Sequence, residues 1–424
     1  MLDLTIIVVT SPAPSNPSTD LISQSIESCN LVAGLAECPV IIVMDGYKVG
    51  PVDRTKMGRI TEETAVRYEQ YHQALLVQFS SPRYRIVRNE THQGFGLSVK
   101  AGLELCGTTY CMVTQYDRLF CAPFARIEDL IDQMETHTHI RYIGFPTSSN
   151  VNHDKFISTN YNLHCLNQPE IKLHLGDNLY LQPTVFWYDS QHLGHVQRYL
   201  QIYRPYKNMP PHLRDVVGIY SIKDMLLRPG DFIEDRFGQV QRRLLWVLAT
   251  KGVVTKEIMK GKTNVPLPVE TEDCEDDKET ECEATGKSDN VELSPNSDPN
   301  VDVRGVTPTH TVGSAAPEVN LAVVVELFHW YGTYLCWQNT CAMPFNAHNV
   351  HTPSDTVVMV RHMRGRQLTT EGIAWKIANL ASTGASRGGY WSKEEREQKQ
   401  ATDAKLSSSE INITESENEV LAED

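Results

Sequence analysis

Two apolar stretches decide the fold of this sequence: LTIIVV at residues 4–9 and VIIVM at residues 40–44, the second of which stops at Asp45-Gly46. Both are rich in β-branched residues and carry no charge, a pattern typical of strands that are buried on both faces of a parallel sheet. Between them, residues 20–31 have the apolar spacing of an amphipathic helix. The order strand, helix, strand predicts an α/β domain.

The same alternation continues along the chain. Further strands are predicted at 84–87, 110–114 and 141–145, and further helices at 94–105, 126–136, 191–203 and 235–250. The region from residue 150 to 252 is denser in aromatic residues, and its run Phe186-Trp187-Tyr188 favours core packing over stacking on a ligand. The fold class that follows is α/β, with a mixed, mainly parallel sheet flanked by helices.

The acidic charge of the chain is concentrated in two segments. The 424 residues include 53 acidic and 39 basic side chains, for a formal net charge of −14, and 41% of them are hydrophobic. Residues 270–302 hold 13 acids and two lysines, residues 403–424 hold seven acids and one lysine, and all other residues together carry +3. Because the surrounding sequence is poor in large apolar residues, we predict a disordered acidic insertion at 263–319 and a disordered acidic tail at 381–424.

Composition and motifs argue against several classes of protein. The near-neutral remainder has no basic stripe, which argues against DNA or RNA as a partner. None of the ten cysteines forms a C-x-x-C pair or a zinc-finger spacing. The first residues lack the basic start of a signal peptide, and no apolar run approaches the roughly 18 residues of a membrane helix. We therefore expect a soluble, cytoplasmic protein with reduced thiols and no transmembrane segment.

Candidate site residues follow the predicted strands, where an α/β enzyme binds its ligands. Several of the candidates are acids. We single out acids because carboxylate oxygens bind Mg²⁺ and Mn²⁺ and can also remove the proton of a hydroxyl group. In chain order, the candidates are Asp45 after the second strand, Gly94, Gly96 and Lys100 in the helix after the third, Asp117 after the fourth, Glu234-Asp235 before a later helix, and His362 in a basic segment.

The order of these motifs resembles that of the family 2 glycosyltransferases, which have the GT-A fold, over residues 4–250 and a closing piece around His362. The resemblance implies transfer of a sugar from a nucleoside diphosphate sugar to the hydroxyl of a carbohydrate or other acceptor, with inversion. It divides the chain into a nucleotide-sugar-binding half at 1–150, an acceptor-side half at 151–262 and a closing segment at 320–380.

The resemblance also implies which residues bind the donor. Asp45 would contact the base or ribose of the nucleotide, and Gly94, Gly96 and Lys100 would lie beside it. The family usually has a pair of acids before a glycine or serine at the first of these positions. Here the phrase is Met44-Asp45-Gly46, which keeps one acid.

The remaining roles concern a metal ion and the proton of the acceptor. Asp117 matches the last acid of the metal-binding D-x-D motif, although the sequence there is Gln115-Tyr116-Asp117. The resemblance implies that Asp117 holds Mn²⁺ or Mg²⁺ beside the diphosphate, and that His362 is a further ligand. One carboxylate of Glu234 and Asp235 would be the general base.

Other interpretations remain open. A chain without the full D-x-D motif could retain the fold as a catalytically degenerate protein that binds a carbohydrate or a partner. A nucleotidyltransferase is disfavoured, because the loop at 11–17 has neither the glycines nor the basic residue usual after its first strand. The structural alternatives are a turn at Asp45-Gly46, close packing at the glycines, an ion pair of Asp117 with Arg118 or Arg126, a solvated helix start at Glu234-Asp235, and a surface role for His362.

Overall fold

The computed structural model describes residues 2–147, 150, 153, 157, 163–168, 170–252, 254–255, 259, 320–338 and 359–363. The segments predicted to be disordered, 263–319 and 381–424, lie outside the described residues. So does most of the predicted closing segment beyond residue 338.

The strands and helices alternate in the first half of the chain. The strands are β1 (Leu4–Thr10), β2 (Val40–Met44), β3 (Lys48–Val49), β4 (Arg59–Ile60), β5 (Tyr84–Arg88), β6 (Tyr110–Gln115), β7 (Arg118–Phe120), β8 (Tyr142–Gly144), β9 (Leu173–His174), β10 (Leu179–Pro183), β11 (His192–His195), β12 (Thr333–Gln338) and β13 (Val360–His362). The α-helices are α1 (Asp20–Ser28), α2 (Glu62–Gln78), α3 (Gly94–Leu105), α4 (Ile127–Thr136), α5 (Val196–Leu200), α6 (Pro205–Asn208), α7 (Pro211–Asp224), α8 (Gln239–Lys251) and α9 (Leu321–Tyr331). A π-helix (Glu234–Gly238) leads into α8, and short 3₁₀ helices span Cys29–Leu31, Leu35–Glu37, Thr55–Met57, His164–Asn167 and Gln201–Tyr203.

The main sheet has the strand order β5-β2-β1-β6-β11-β8-β12-β10-β9. Strands β5, β2, β1 and β6 pair in parallel, whereas β11 and β10 run against their neighbours. The predicted α/β fold with a mixed, mainly parallel sheet flanked by helices is confirmed. From β1 the chain extends the sheet to one side and then returns to add β6 on the other. The carboxyl ends of β1 and β6 therefore lie where the strand order reverses, the usual ligand position in such sheets.

The core is built on the stretches that predicted the fold. Every residue of β1 and β2 is buried, as expected of strands covered on both faces. Helix α3 lies directly on the sheet at Gly102, where an added Cβ would come within 2.6 Å of Ile7. Trp187 is fully buried between the rings of Tyr142 and Phe237, which confirms core packing for this tryptophan. No helix among the described residues is long and apolar enough to cross a membrane.

Two elements differ from the predictions. The helix predicted at 191–203 is wrong in its first part, which forms β11 before the short helix α5. The reason is tertiary, because β11 fills the gap between β6 and β8 and pairs with both. The helix α2 was missed because its apolar residues face both ways, with Val66 and Val77 exposed and Tyr71 buried.

The turn after α9 gives a test of backbone packing. Gly332 has a φ of 60°, and an added Cβ would lie 1.9 Å from the carbonyl oxygen of His139. Gly176 has a similar φ of 78° with open space around it. We expect Gly176→Ala to cost about 1–2 kcal/mol, the usual strain of a left-handed residue. Gly332→Ala should cost several kcal/mol, because the backbone of two segments must also separate.

Urea unfolding of both glycine variants measures these costs. The matched pair separates the cost of the dihedral angle from the cost of the steric clash. Equal midpoints for the two variants would show that the contact between Gly332 and His139 is not as close as described.

Candidate active site

A cleft opens at the carboxyl ends of β1, β2 and β6. The start of α3 and the loop around residue 230 complete its walls. Its lining includes Thr10, Asp45, His92, Phe95, Gln115 and Phe232. The rings of Phe95 and Phe232 stack with centroids 5.9 Å apart. The cleft therefore lies at the sheet edge where the sequence placed its candidate residues.

Asp45 holds the start of α3 in place. Its Oδ1 accepts hydrogen bonds from the backbone N–H groups of Gly46 (2.9 Å) and Gln93 (2.8 Å). Its Oδ2 accepts the N–H of Gly94 (3.0 Å) and lies 2.8 Å from Nδ1 of His92. The helix has no side-chain cap of its own at Gln93. The Asp45 carboxylate, 48 positions upstream, therefore acts as the N-cap of this helix. No local sequence pattern predicts that role.

This role of Asp45 predicts a large effect on stability. Asp45→Ala would leave three backbone N–H groups and an imidazole without their acceptor, and we expect a loss of about 2–4 kcal/mol. The control is Asp53→Ala, an exposed carboxylate that accepts the N–H of Thr61 and the hydroxyl of Thr64 at the start of α2. Its expected cost is about 0.5–1 kcal/mol, because water can replace it. Chemical denaturation compares the two, and a smaller loss at Asp45 than at Asp53 would contradict the capping role.

The other predicted donor-binding residues are placed differently from one another. Gly94 lines the cleft, with a φ of 74° and with Gly230 so close that an added Cβ would lie 2.7 Å from it. Gly96 is buried, and its backbone bonds the carbonyl of Asp231 and the hydroxyl of Tyr203. Lys100 forms an ion pair with Glu104 at 3.0 Å. Gly96 and Lys100 are not among the described residues that line the cleft.

Asp117 and His362 meet although 245 positions separate them. Asp117 follows β6, and its Oδ2 lies 3.1 Å from Nε2 of His362. Strand β13 pairs antiparallel with β7, with His362 opposite Arg118, and the N–H of Met363 donates to the carbonyl of Asp117. The structure thus brings the two predicted metal ligands together. No group of three or more His, Cys, Asp or Glu side chains suited to a metal occurs in the part of the chain that is described.

Gln115 connects the cleft to a second acidic group. It stands where the first acid of a D-x-D motif would be, and its side-chain amide donates 2.7 Å to the carbonyl of Asp189. The N–H of Asp189 donates to Oε2 of Glu234, and the N–H of Glu234 donates to Oδ1 of Asp189, each at 3.2 Å. Asp235 is exposed beside them. The sequence pattern indicated Glu234 but not Asp189, whose only signal is its position directly after an aromatic run.

Burial sets the protonation of this acidic pair. Desolvation is the main cause that raises the pKa of Glu234 to about 7, and the neighbouring carboxylate of Asp235 adds to it. The N–H of Asp189 and the guanidinium groups of Arg118 and Arg242 act in the opposite direction. The pKa of Asp189 is also raised well above its usual range, by desolvation and then by the charge of Glu234. A carboxylate that gains and loses its proton near neutral pH is suited to general base catalysis.

Comparisons with known proteins give distant structural matches. No family model matches the chain, and no curated protein matches it. Among solved structures, S. aureus TarS aligns with 35% of this chain at 17% identity and a TM-score of 0.22, over 22% of its own length. TarS 1-349 in complex with UDP-GlcNAc aligns at 13% identity and a TM-score of 0.23, and its complex with UDP at 17% and 0.22. These alignments span 34% and 36% of the TarS 1-349 chains, so each covers much less than two thirds of its neighbour.

Proposed function

We propose that this chain is a glycosyltransferase that moves a sugar from a nucleoside diphosphate sugar to an acceptor hydroxyl. The observation that carries the proposal is the continuity of one edge of the sheet. Gln115 lines the cleft and also bonds the carbonyl of Asp189, whose own N–H holds Glu234. A donor in the cleft would thus lie near Asp117, which follows β6 and contacts His362 of β13, and near Glu234, the proposed base. The family 2 resemblance of the motif order supports the same assignment.

The nucleotide end of the donor would occupy the cleft. Phe95 and Phe232 offer apolar surface to a base, and Thr10 lines the cleft at the end of β1, where its hydroxyl lies 3.2 Å from that of Tyr71. Asp45 is already bonded by three N–H groups and His92. We therefore assign Asp45 to shaping the cleft wall, and any direct contact between its carboxylate and the nucleotide would be made in addition to these bonds.

Asp117 and His362 suit a divalent cation. Neighbouring ligands about 2.1 Å from an octahedral Mg²⁺ or Mn²⁺ lie about 3.0 Å apart, close to the observed spacing of 3.1 Å. Such ions retain several waters and bind substrate phosphates, so two protein ligands can suffice. An imidazole beside a carboxylate favours Mn²⁺ over Mg²⁺. When bound, the ion would neutralise the charge of the departing diphosphate.

The protein residues would complete an inverting displacement. Glu234 would accept the proton of the acceptor hydroxyl. At the same time the hydroxyl oxygen would bond to the anomeric carbon, and the bond from that carbon to the diphosphate oxygen would break. We assign the base to Glu234 rather than to exposed Asp235, because hydrogen bonds fix the position of Glu234 and its pKa of about 7 suits proton transfer at neutral pH. Arg118, next to Asp117, lies near enough to Glu234 to affect its charge.

A panel of nucleoside diphosphate sugars, each with and without Mn²⁺, tests the proposal by thermal unfolding. A ligand at 100 times its dissociation constant should add about 2.7 kcal/mol to the stability of the protein. The donor that does so should then be consumed when acceptors are supplied. Stabilisation without consumption would favour the degenerate binding protein, and no stabilisation by any donor would contradict the proposed function.

A further inference from the structure

Asp189 and Glu234 are joined by two reciprocal hydrogen bonds. Each backbone N–H donates to the other residue's carboxyl group at 3.2 Å, although the residues are 45 positions apart in the sequence. The two bonds join the turn before β11 to the first residue of the π-helix. Only 4% of Asp189 is exposed. The Glu234 carboxyl is therefore held from a separate segment.

The two segments that carry this pair pack closely against their neighbours. An added Cβ on Gly238, the last residue of the π-helix, would lie 3.0 Å from the carbonyl oxygen of Trp187, so the helix lies directly against the turn. On the other side, the amide of Gln115 fixes the carbonyl of Asp189 to the end of β6. The π-helix is a rare conformation that is frequent at functional sites.

We propose that Asp189 is a positioning residue for the general base: it fixes the Glu234 carboxyl, and the ionisation of each carboxyl group opposes that of the other, so that the two act as a unit. This inference rests on the proposed function for its catalytic meaning. Two carboxyl groups that lie near each other and are largely withdrawn from water oppose each other's ionisation, because their charges repel. Oδ2 of Asp189 is buried without a hydrogen-bond partner among the described residues, which is unfavourable for an ionised carboxylate.

Charged and titratable groups reach this pair from every element around it. The guanidinium groups of two arginines favour its ionised form, and a third carboxylate opposes it. Both pKa values are raised, because burial outweighs the arginines. The groups concerned are Arg118 of β7, Arg242 of α8, Asp235 of the π-helix, and the hydroxyls of Tyr142, Tyr199 and Tyr203.

The first experiment needs no substrate. Thermal unfolding of the full chain is followed from pH 5 to 9 for wild type, Asp189→Asn, Glu234→Gln and the double variant. The folded pair holds its proton above the pKa of an unfolded carboxyl, so the wild-type Tm should fall as the pH rises through about 7. In each single variant the fall in Tm should be less than half of the wild-type fall, because the remaining carboxyl no longer has a charged neighbour. In the double variant the fall should be only slightly smaller still. Asp235→Asn, at the exposed neighbour, should keep most of the fall.

The second experiment measures turnover with the donor that the panel identifies. Asp189→Ala should lower kcat on the order of 10²-fold in the wild type but less than about 3-fold in the Glu234→Gln background, as expected of residues that act as a unit. Asp189→Asn keeps the oxygen that accepts the N–H of Glu234, and we expect it to retain activity within about 10-fold of wild type.

A merely structural Asp189 would give other results. Its replacement would then lower the Tm equally at every pH and lower turnover by the same factor in both backgrounds, and either result would overturn the inference. If the wild type consumes no nucleotide sugar, the proposed function fails. The dependence of unfolding on pH still decides whether the two carboxyl groups are coupled.

Discussion

Asp117→Ala is expected to lower the rate of sugar transfer by on the order of 10³-fold at any Mn²⁺ concentration, because it removes the carboxylate that would hold the ion against the diphosphate. His362→Ala should behave differently. We expect it to raise the Mn²⁺ concentration for half-maximal activity about 10–100-fold and to lower the maximal rate less. Asp117 is buried at the end of a central strand, whereas 42% of the His362 side chain is exposed. Initial rates over a Mn²⁺ titration measure both effects.

Asp129→Ala is the matched control for this pair of variants. Asp129 is a partly exposed acid on α4 that forms an ion pair with Arg126, and its loss should leave turnover unchanged. Arg126 forms ion pairs with both Asp129 and Asp177. A folded Asp117→Ala variant with wild-type rates would refute the metal site and, with it, the assignment of the diphosphate position.

Local patterns predicted the parts of the fold that local forces determine. The fully buried strands β1 and β2 and the helix α3 have the positions expected from apolar runs and from the glycines at the start of the helix. Strand β11 could not be predicted in this way. Its four residues are extended because two neighbouring strands form hydrogen bonds with them, and those strands are 48 to 85 positions away in the sequence.

The candidate site shows the same limit. The strand-end rule placed Asp45 after β2 and Asp117 after β6, as the structure has them, but it did not reveal that Asp45 caps α3. The contact between Asp117 and His362 was expected only from the family resemblance, since nothing local links residues 245 positions apart. Asp189 was missed because its partner is defined by two backbone N–H groups, and hydrogen bonds of that kind leave no trace in the residue types.

Glu234→Gln should lower kcat by about 10²–10⁴-fold, the usual contribution of a general base, while binding of the donor stays intact. The amide can accept the N–H of Asp189 as the carboxylate does, so the fold around it should be preserved. In the wild type, kcat should rise with pH through about 7, because only the ionised carboxylate can take the proton. Glu128→Gln, at an exposed position in the first turn of α4, is the control of the same chemistry and should leave the rate unchanged.

The same substitution has a predicted effect on stability, and its sign depends on pH. Because the folded pKa of Glu234 lies above that of an unfolded glutamate, its protonated form stabilises the native state at low pH. That contribution is lost as the pH rises through about 7, where a buried charge must be carried. Glu234→Gln cannot ionise and is therefore expected to gain on the order of 2 kcal/mol relative to wild type between pH 5 and pH 8. A variant that is less active and yet more stable at pH 8 would identify Glu234 as a buried base, whereas equal losses of activity and stability would identify it as a structural residue.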